Sequence, residues 1–179
     1  MTVLTRNPDN TNLLHPNKFV FTCSRLPNLQ YFAQSLNIPG ISMSEAYQPT
    51  PFVDLYPPGD KAIFDMFFVT FLVDEELTAW TEVYDWIWAM TFPTNFDDYG
   101  DLSTLFQQKT GYQKEKFPQY ADTQITLLSS SNNPIIKFHL KDCYPTSLSN
   151  FPVSTTDSPD NVITADVTFR FSYFTIERL

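Results

Sequence analysis

Few side chains in this sequence combine the residue types and the spacing that chemistry requires. Its two histidines are His15 and His139, and neither has a cysteine, a histidine or a carboxylate at the spacing of a metal site. Its two cysteines, Cys23 and Cys143, lie far apart, and each falls in a predicted strand. We interpret both as buried small apolar residues, with a disulfide or a metal site as the alternative.

The acidic clusters favour solvated loops or a helix start over catalysis. Asp97, Asp98 and Asp101 could hold calcium, but their spacing lacks the full ligand set of an EF-hand loop. The pair Asp157 and Asp160 lies in a polar stretch. A glycine-rich phosphate loop, a nucleophile elbow and an HExxH pattern are all missing from the sequence. We therefore expect a protein that is not an enzyme and that needs no cofactor.

Composition and charge restrict the fold class and the possible functions of the protein. The chain has 179 residues, enough for one well-cored domain, and its 17 Phe and 9 Tyr favour sheets over helices. A formal net charge of −9 opposes ordinary binding to a phosphate backbone, although it suits a conduit through which DNA slides without sticking. No apolar run reaches the length of a membrane span, and residues 1–15 do not resemble a signal peptide. We expect a soluble protein, made in a reducing cytoplasm.

The first half of the chain predicts strands separated by proline-rich breaks, after a polar N-terminal arm over residues 1–16. Lys18–Arg25 alternates apolar and polar residues, Leu29–Leu36 predicts a second strand, and Lys61–Val73 is apolar on both faces. A strand of this last kind must be covered on both faces. The intervening Ile41–Pro58 holds four prolines, which predicts either an extended hairpin that reaches a partner or a rigid surface loop.

One amphipathic helix follows. Asp74 is suited to its N-cap, Glu75 and Glu76 to the positive end of its dipole, and Pro93 marks its latest end. The connection from Phe92 to Pro118 predicts an interaction element with a short helix over 101–108. Helical spacing places six apolar residues of the first helix on one stripe that we expect to face the core: Leu77, Trp80, Val83, Tyr84, Ile87 and Trp88.

The last third returns to strands. Residues 123–127 and 136–140 alternate on either side of a Ser-Asn-Asn-Pro turn, which predicts a β-hairpin. Ile163–Tyr173 predicts one long final strand, apolar on one face and polar on the other.

Several short motifs lie among these elements. Pro58-Gly59-Asp60-Lys61 precedes Phe64-Asp65 and Val69-Thr70-Phe71, and the strand within Ile135–Leu148 runs into an aromatic-Pro-Thr-Ser corner at its end. With the element order and the single long helix, these motifs make residues 17–179 resemble the tail-tube protein family of contractile-tailed, T4-like bacteriophages. That family includes the tube-initiating proteins of the baseplate.

The resemblance implies a mainly β fold with one main α-helix. We expect a tail-tube-type β-barrel or sandwich, closed by the final strand, with a projecting hairpin and the arm, as one domain over residues 17–179. It also implies a homo-hexameric ring in the virion tail that stacks on neighbouring rings and contacts sheath and baseplate proteins. Double-stranded DNA would pass through the lumen during genome ejection without specific binding.

Two sets of side chains follow from this interpretation. The polar lumen face is expected to comprise Gln124, Thr126, Thr164, Asp166, Thr168 and Ser172, unless that face simply meets solvent. Contacts between subunits are expected at Phe52, Val53, Leu55, Tyr56, Phe64, Met66 and Phe68.

Within the family, the sequence favours the main tube protein, and the alternative is a baseplate tube initiator that caps the tube, or another tail or neck protein. The long connection and the arm would suit a ring at a tube end, because such a ring must bind something other than itself. A carbohydrate-binding β-sandwich is less favoured, since Trp80, Trp86 and Trp88 all fall on the predicted helix and not on exposed loops.

Overall fold

The computed structural model describes residues 12–91, 119–156, 158 and 160–179. The predicted arm is therefore described only from residue 12. The connection from Phe92 to Pro118, with its predicted short helix and the candidate calcium ligands Asp97, Asp98 and Asp101, lies outside the described residues, as does Asp157.

The described residues form a mainly β fold with one main helix, as predicted. The strands are β1 Phe19–Cys23, β2 Ala33–Leu36, β3 Ile41–Glu45, β4 Pro58–Phe64, β5 Phe67–Leu72, β6 Ala121–Leu128, β7 Pro134–Leu148, β8 Thr164–Arg170 and β9 Tyr173–Arg178. The helices are α1 Pro27–Phe32 and α2 Thr78–Thr91.

Seven of these strands form one antiparallel sheet in the order β1-β6-β7-β8-β5-β2, with β9 beside β7. The predicted β6–β7 hairpin is confirmed by continuous pairing from Thr123 opposite Leu140 to Leu127 opposite Ile136. The sheet is open: in the described part of the chain, β1, β2 and β9 each pair with only one other strand. The expectation that the final strand closes a barrel is therefore wrong, because β8 lies in the middle of the sheet between β7 and β5.

The sheet has two halves: β1, β6 and β9 pair with each other or with the first part of β7, and β8, β5 and β2 follow from the last part of β7. Strand β7 is long and bent, and it joins the two halves. The first part of β7 pairs with β6 and β9, and its last part pairs with β8. Lys141 lies opposite Tyr173 and Tyr144 opposite Arg170, so the register continues across the break between β8 and β9. At the bend Asp142 has a φ of 54°. The predicted strand Ile163–Tyr173 therefore corresponds to β8 and the break after it. Only its last residue belongs to β9, which was not predicted.

The core lies between the two halves. Phe169 on β8 stacks on Phe67 of β5 at a centroid distance of 5.1 Å and meets Phe21 of β1 at 6.4 Å. All three rings are buried, and burying a side chain of this size contributes about 1.5–3 kcal/mol. The halves therefore pack face to face in the manner of a sandwich.

Both cysteines are free and buried, as predicted. Cys23 lies on β1 opposite Thr123, Cys143 lies on β7 opposite Ala121, and β6 runs between them. Two strand spacings separate β1 from β7 by about 9–10 Å, which exceeds the roughly 7 Å that a disulfide can span between Cα atoms. Burial raises the pKa of both thiols, so they remain neutral.

Helix α2 begins later than predicted but is capped by the predicted residue. Residues 74–77 form a turn in which Leu77 N–H donates to the Asp74 carbonyl at 3.0 Å. The Asp74 carboxylate accepts hydrogen bonds from the backbone N–H groups of Thr78, at 3.0 Å, and Ala79, at 3.2 Å. Although partial desolvation opposes the shift, these hydrogen bonds and one from the Thr78 hydroxyl lower the pKa of Asp74.

The stripe predicted to face the core is confirmed for three of its six members and wrong for the other three. Val83 is buried and Trp80 and Ile87 pack against the core, whereas Leu77, Tyr84 and Trp88 are exposed. The fully buried residues of α2 are Ala79, Val83, Trp86 and Ala89. The buried face is therefore rotated by about a third of a turn from the predicted stripe. Trp86 donates from Nε1 to the Gln119 carbonyl at 3.1 Å, which satisfies its one polar atom.

Two other sequence predictions are corrected. The first half of the predicted strand Leu29–Leu36 is the short helix α1, with Pro27 in its first turn, where the missing N–H costs nothing. The predicted strand Lys61–Val73 is interrupted at Asp65, so that β4 and β5 belong to different sheets. It is therefore not one strand covered on both faces.

Candidate assembly surfaces

Strands β3 and β4 form a hairpin outside the main sheet, which confirms the extended hairpin rather than a surface loop. Pairing starts at Ile41 opposite Phe64 and continues to Glu45 opposite Pro58. Gln48 and Leu55 extend it by exchanging two backbone hydrogen bonds of 2.9 Å. The chain therefore keeps a defined two-stranded shape well beyond the strands themselves.

The tip of this hairpin is apolar and exposed. Phe52 is 97% exposed, and Val53, Leu55 and Tyr56 are exposed as well. Tyr47 and Tyr56 contact each other at a centroid distance of 5.8 Å, and the Tyr47 hydroxyl donates to Asp54 at 3.2 Å. Within the described residues these contacts hold the tip in shape without covering it, and an exposed apolar group of this kind is typical of an association surface.

The remaining predicted interface residues divide into two kinds. Phe64 is half-buried and packs inside its own chain against Phe171, at 5.9 Å, and Phe174, at 5.4 Å. Phe64 therefore has partners in its own chain, and its place in a subunit interface stays a prediction. Met66 and Phe68 remain exposed, at 45% and 48%.

Three of the predicted lumen residues lie together on β8. Thr164, Asp166 and Thr168 alternate with buried residues and point away from the core. Asp166 accepts a hydrogen bond of 2.6 Å from the Thr70 hydroxyl on β5. This polar group belongs to the half of the sheet that contains β5 and β2.

Two others lie on the other half. Gln124 and Thr126 lie on the outer face of β6, opposite His139 and Lys137 of β7. Ser172 lies in the bend between β8 and β9, where its N–H donates to the Lys141 carbonyl at 2.9 Å. The structure thus places the predicted set in two groups on neighbouring parts of a bent sheet.

The outer face beside β6 also carries two polar side-chain pairs that the sequence did not reveal. His139 Nε2 lies 2.8 Å from Glu177 Oε2, and Lys141 pairs with Asp122. The hydrogen bond with Asp122 is the main reason that the pKa of Lys141 is raised. Glu177 was missed because it lies on β9, which was not predicted.

A metal site and a membrane-spanning helix each require a particular arrangement of residues. In the part of the chain that the structure describes, no group of three or more His, Cys, Asp or Glu side chains is placed to hold a metal ion. Among the same residues, no helix is both long and apolar enough to cross a membrane. The exposed features of the described residues include the apolar hairpin tip, the polar strand faces and the Lys141–Asp122 ion pair.

Residues 11–177 match the family model of the phage tail tube protein, and the chain belongs to this family of structural components of the virion tail. It is 28% identical to the tail tube terminator protein of Enterobacteria phage T4 over 149 residues, which are 82% of this chain and 77% of that protein.

Solved structures share the fold at low sequence identity. The tube-terminating cap of the anti-feeding prophage matches with a TM-score of 0.65 at 15% identity, over 100% of both chains. A chain from the sheath–tube complex of the extracellular contractile injection system PVC matches with a TM-score of 0.61 at 13% identity, over 94% of each chain. The PVC sheath/tube terminator matches with a TM-score of 0.60 at 14% identity, over 94% of this chain and 99% of the other.

Proposed function

We propose that this chain forms a hexameric ring that terminates a phage tail tube. The observation that carries the proposal is its sequence match to a tail tube terminator, joined by end-to-end similarity to a tube-terminating cap. The main tube protein, which the sequence alone favoured, becomes the second candidate, supported by the fold it shares with a chain of a sheath–tube complex. A baseplate tube initiator is a weaker alternative, because the similarity to a chain of the anti-feeding prophage baseplate is lower, at a TM-score of 0.56.

Exposed apolar side chains and unpaired strand edges favour association between subunits. The hairpin tip around Phe52 and the exposed Met66 and Phe68 are apolar surfaces of the kind that another protein chain covers. Strands β1 and β2 end the main sheet, and edge strands present unpaired backbone groups that another chain can pair with. A contact that joins two different surfaces of the same chain generates a ring when its rotation closes. Subunit contacts in the ring therefore involve Phe52, Val53, Leu55, Tyr56, Met66 and Phe68.

The lumen is assigned to the two polar groups on the bent sheet. Thr164, Asp166 and Thr168 form one part, and Gln124 and Thr126 with Ser172 form the other. The net charge of −9 disfavours lasting contact with a phosphate backbone, which suits passage of double-stranded DNA during ejection. The ring forms from protein made in the host cytoplasm and contacts the tube on one side and other tail proteins, such as sheath or baseplate components, elsewhere.

Tube elongation in vitro tests this proposal. Tubes are grown from the main tube protein of the same phage, and the purified chain is added at a small fraction of its concentration, with tube lengths measured by negative-stain electron microscopy. A terminator shortens the tubes and leaves a single ring of the chain at an end. Incorporation along the whole length would identify a main tube protein, and unchanged tubes without bound rings would contradict both.

A further inference from the structure

Helix α2 carries a row of aromatic rings that begins at the edge of the core with Trp80 and runs out to the exposed rings of Tyr84 and Trp88. Trp80, Tyr84 and Trp88 are four residues apart, and successive ring centroids lie 5.4 Å from each other. Trp80 anchors this aromatic row, because its Nε1 donates to the Ser149 carbonyl at 3.4 Å and its ring meets Phe151 edge-on at 5.9 Å. Tyr84 and Trp88 are each 38% exposed.

The row is a preformed surface on the flank of the helix. The side of α2 that faces the core is filled by Ala79, Val83 and Trp86. Stacking between residues four positions apart already restricts the exposed rings, so a partner that covers them loses little further side-chain freedom.

The charged side chains of the helix and of the turn before it are all acidic. From residue 71 to residue 91 the sequence contains no Lys, Arg or His, and the carboxylates are Asp74, Glu75, Glu76, Glu82 and Asp85. The face of an aromatic ring also carries the negative part of its quadrupole. Glu82 lies on the far side of the helix, where it accepts hydrogen bonds from Asn28, and Asp74 caps the helix start. Asp85, three residues before Trp88, is its neighbour on the helix surface. An aromatic surface beside a carboxylate attracts a cation that can lie over a ring.

The same helix already binds one such group on its other side. The guanidinium of Arg25 lies 5.2 Å from the ring centre of Trp86. Arg25 comes from the loop before α1, so this contact joins two elements of one chain. On its outer side, α2 presents the same ring chemistry with Trp88 and Tyr84.

We propose that the aromatic row binds an Arg- or Lys-bearing segment of a different tail protein. A second copy of this chain is a poor occupant through its own apolar hairpin, because residues 46–57 contain Asp54 and no Lys, Arg or His. The proposal rests on the terminating role, since a ring at the end of a tube must also bind a protein that is not a tube subunit. Basic side chains lie over the rings, and the negative charge of the neighbouring Asp85 strengthens the attraction.

Site-specific cross-linking in assembled tails tests the choice of partner. Trp88→p-benzoylphenylalanine is introduced, the tails are irradiated, and the cross-linked peptides are sequenced by mass spectrometry, with Tyr31→p-benzoylphenylalanine on α1 as the matched exposed control. We expect the residue-88 cross-links to reach another tail protein within a few residues of Arg or Lys. Cross-links to a second copy of this chain, to a segment without cations, or to nothing would overturn the proposal.

A binding measurement separates this surface from the ring itself. A capped peptide of alternating arginine and serine is titrated into the folded chain by calorimetry, beside a glutamate–serine peptide. We expect the arginine peptide to bind at least tenfold more tightly, and the double variant Tyr84→Ser, Trp88→Ser to lose at least fivefold of that affinity while Tyr31→Ser does not. Equal affinities in wild type and double variant would overturn the proposal.

The tube-elongation assay shows which of the two proposals fails. We expect the double variant to shorten tubes as the wild type does, because the row is not a contact with the tube. Loss of tube shortening by the folded double variant would make the row a tube contact and refute the heterotypic partner. If the wild type does not shorten tubes but the row still cross-links to a basic segment, the terminating role fails alone.

Discussion

The β3–β4 hairpin and the bent ribbon of β7 with β8 and β9 are both antiparallel pairs rich in apolar residues, yet they differ in what covers those residues. In the ribbon, Leu140, Val167 and Phe169 are completely buried by the chain itself. At the hairpin tip, Phe52 is 97% exposed. The ribbon is explained by the stability of one subunit, whereas the exposed hairpin tip adds nothing to that stability and is the surface that the proposed ring would cover.

The largest expected effect on stability lies in the ribbon. Phe169→Ala removes a ring that contacts Phe21, Phe67 and Trp86. We expect a loss of about 3–5 kcal/mol in the free energy of unfolding, because a cavity replaces a fully buried ring. Guanidinium denaturation of the purified chain measures it, and a loss below about 1 kcal/mol would mean that the core is not built as described.

A smaller loss in the free energy of unfolding is expected at the start of helix α2. Asp74→Ala removes the acceptor for the N–H groups of Thr78 and Ala79 and is expected to cost about 0.5–2 kcal/mol at neutral pH. The pKa of Asp74 is lowered in the folded chain, so its contribution is present above the unfolded pKa of about 3.9 and fades as pH falls through the folded value.

Denaturation curves of wild type and variant from pH 7 to pH 3 check this pH dependence. The difference between them should be constant near neutrality and shrink below about pH 4. Asp74→Asn is the matched control, because it keeps an acceptor oxygen but does not ionise. A difference that grows on acidification would contradict the assigned cap.

A still smaller effect on folding is expected at the proposed lumen. Asp166→Asn keeps an oxygen that can accept the hydrogen bond from Thr70, so we expect a change below about 1 kcal/mol in unfolding free energy. The same substitution removes one negative charge per subunit and is expected to change the rate of DNA ejection from assembled particles. An unchanged rate and an unchanged lumen potential would count against Asp166 as a lumen residue.

The smallest effect on folding is expected at the hairpin tip. Phe52→Ser should change the free energy of unfolding by less than about 0.5 kcal/mol, since the ring is already in solvent. It should nevertheless weaken ring formation at least tenfold, measured as the concentration at which rings appear in light scattering. Tyr31→Ser is the control, and equal assembly by both variants would remove the tip from the interface.

The sequence predicted elements well where alternation is local. The β6–β7 hairpin follows from two alternating runs around one turn, and the end of α2 follows from the coming proline. The break at Asp65 was hidden because apolar residues occupy both sides of it, from Ile63 to Phe68. Strand β9 was missed because the prediction stops at Tyr173, where the chain bends and then continues as a strand.

The surfaces were harder to predict than the elements. Small Ala79 and Ala89 lie on the buried side of α2 while Tyr84 and Trp88 are exposed, and a pattern based on size alone selects a face that is rotated toward solvent. The separation of the polar residues of β6 and β8 into two groups depends on strand order and on the bend at Asp142. Both are non-local features that periodicity does not encode.

The number of copies per virion tests the terminating role most directly. Quantitative mass spectrometry of purified particles, with isotope-labelled peptides of this chain and of the main tube protein, gives the ratio of the two. We predict one ring of this chain for the many rings of the tube. A copy number that scales with tail length would contradict a terminating ring and assign the chain to the tube itself.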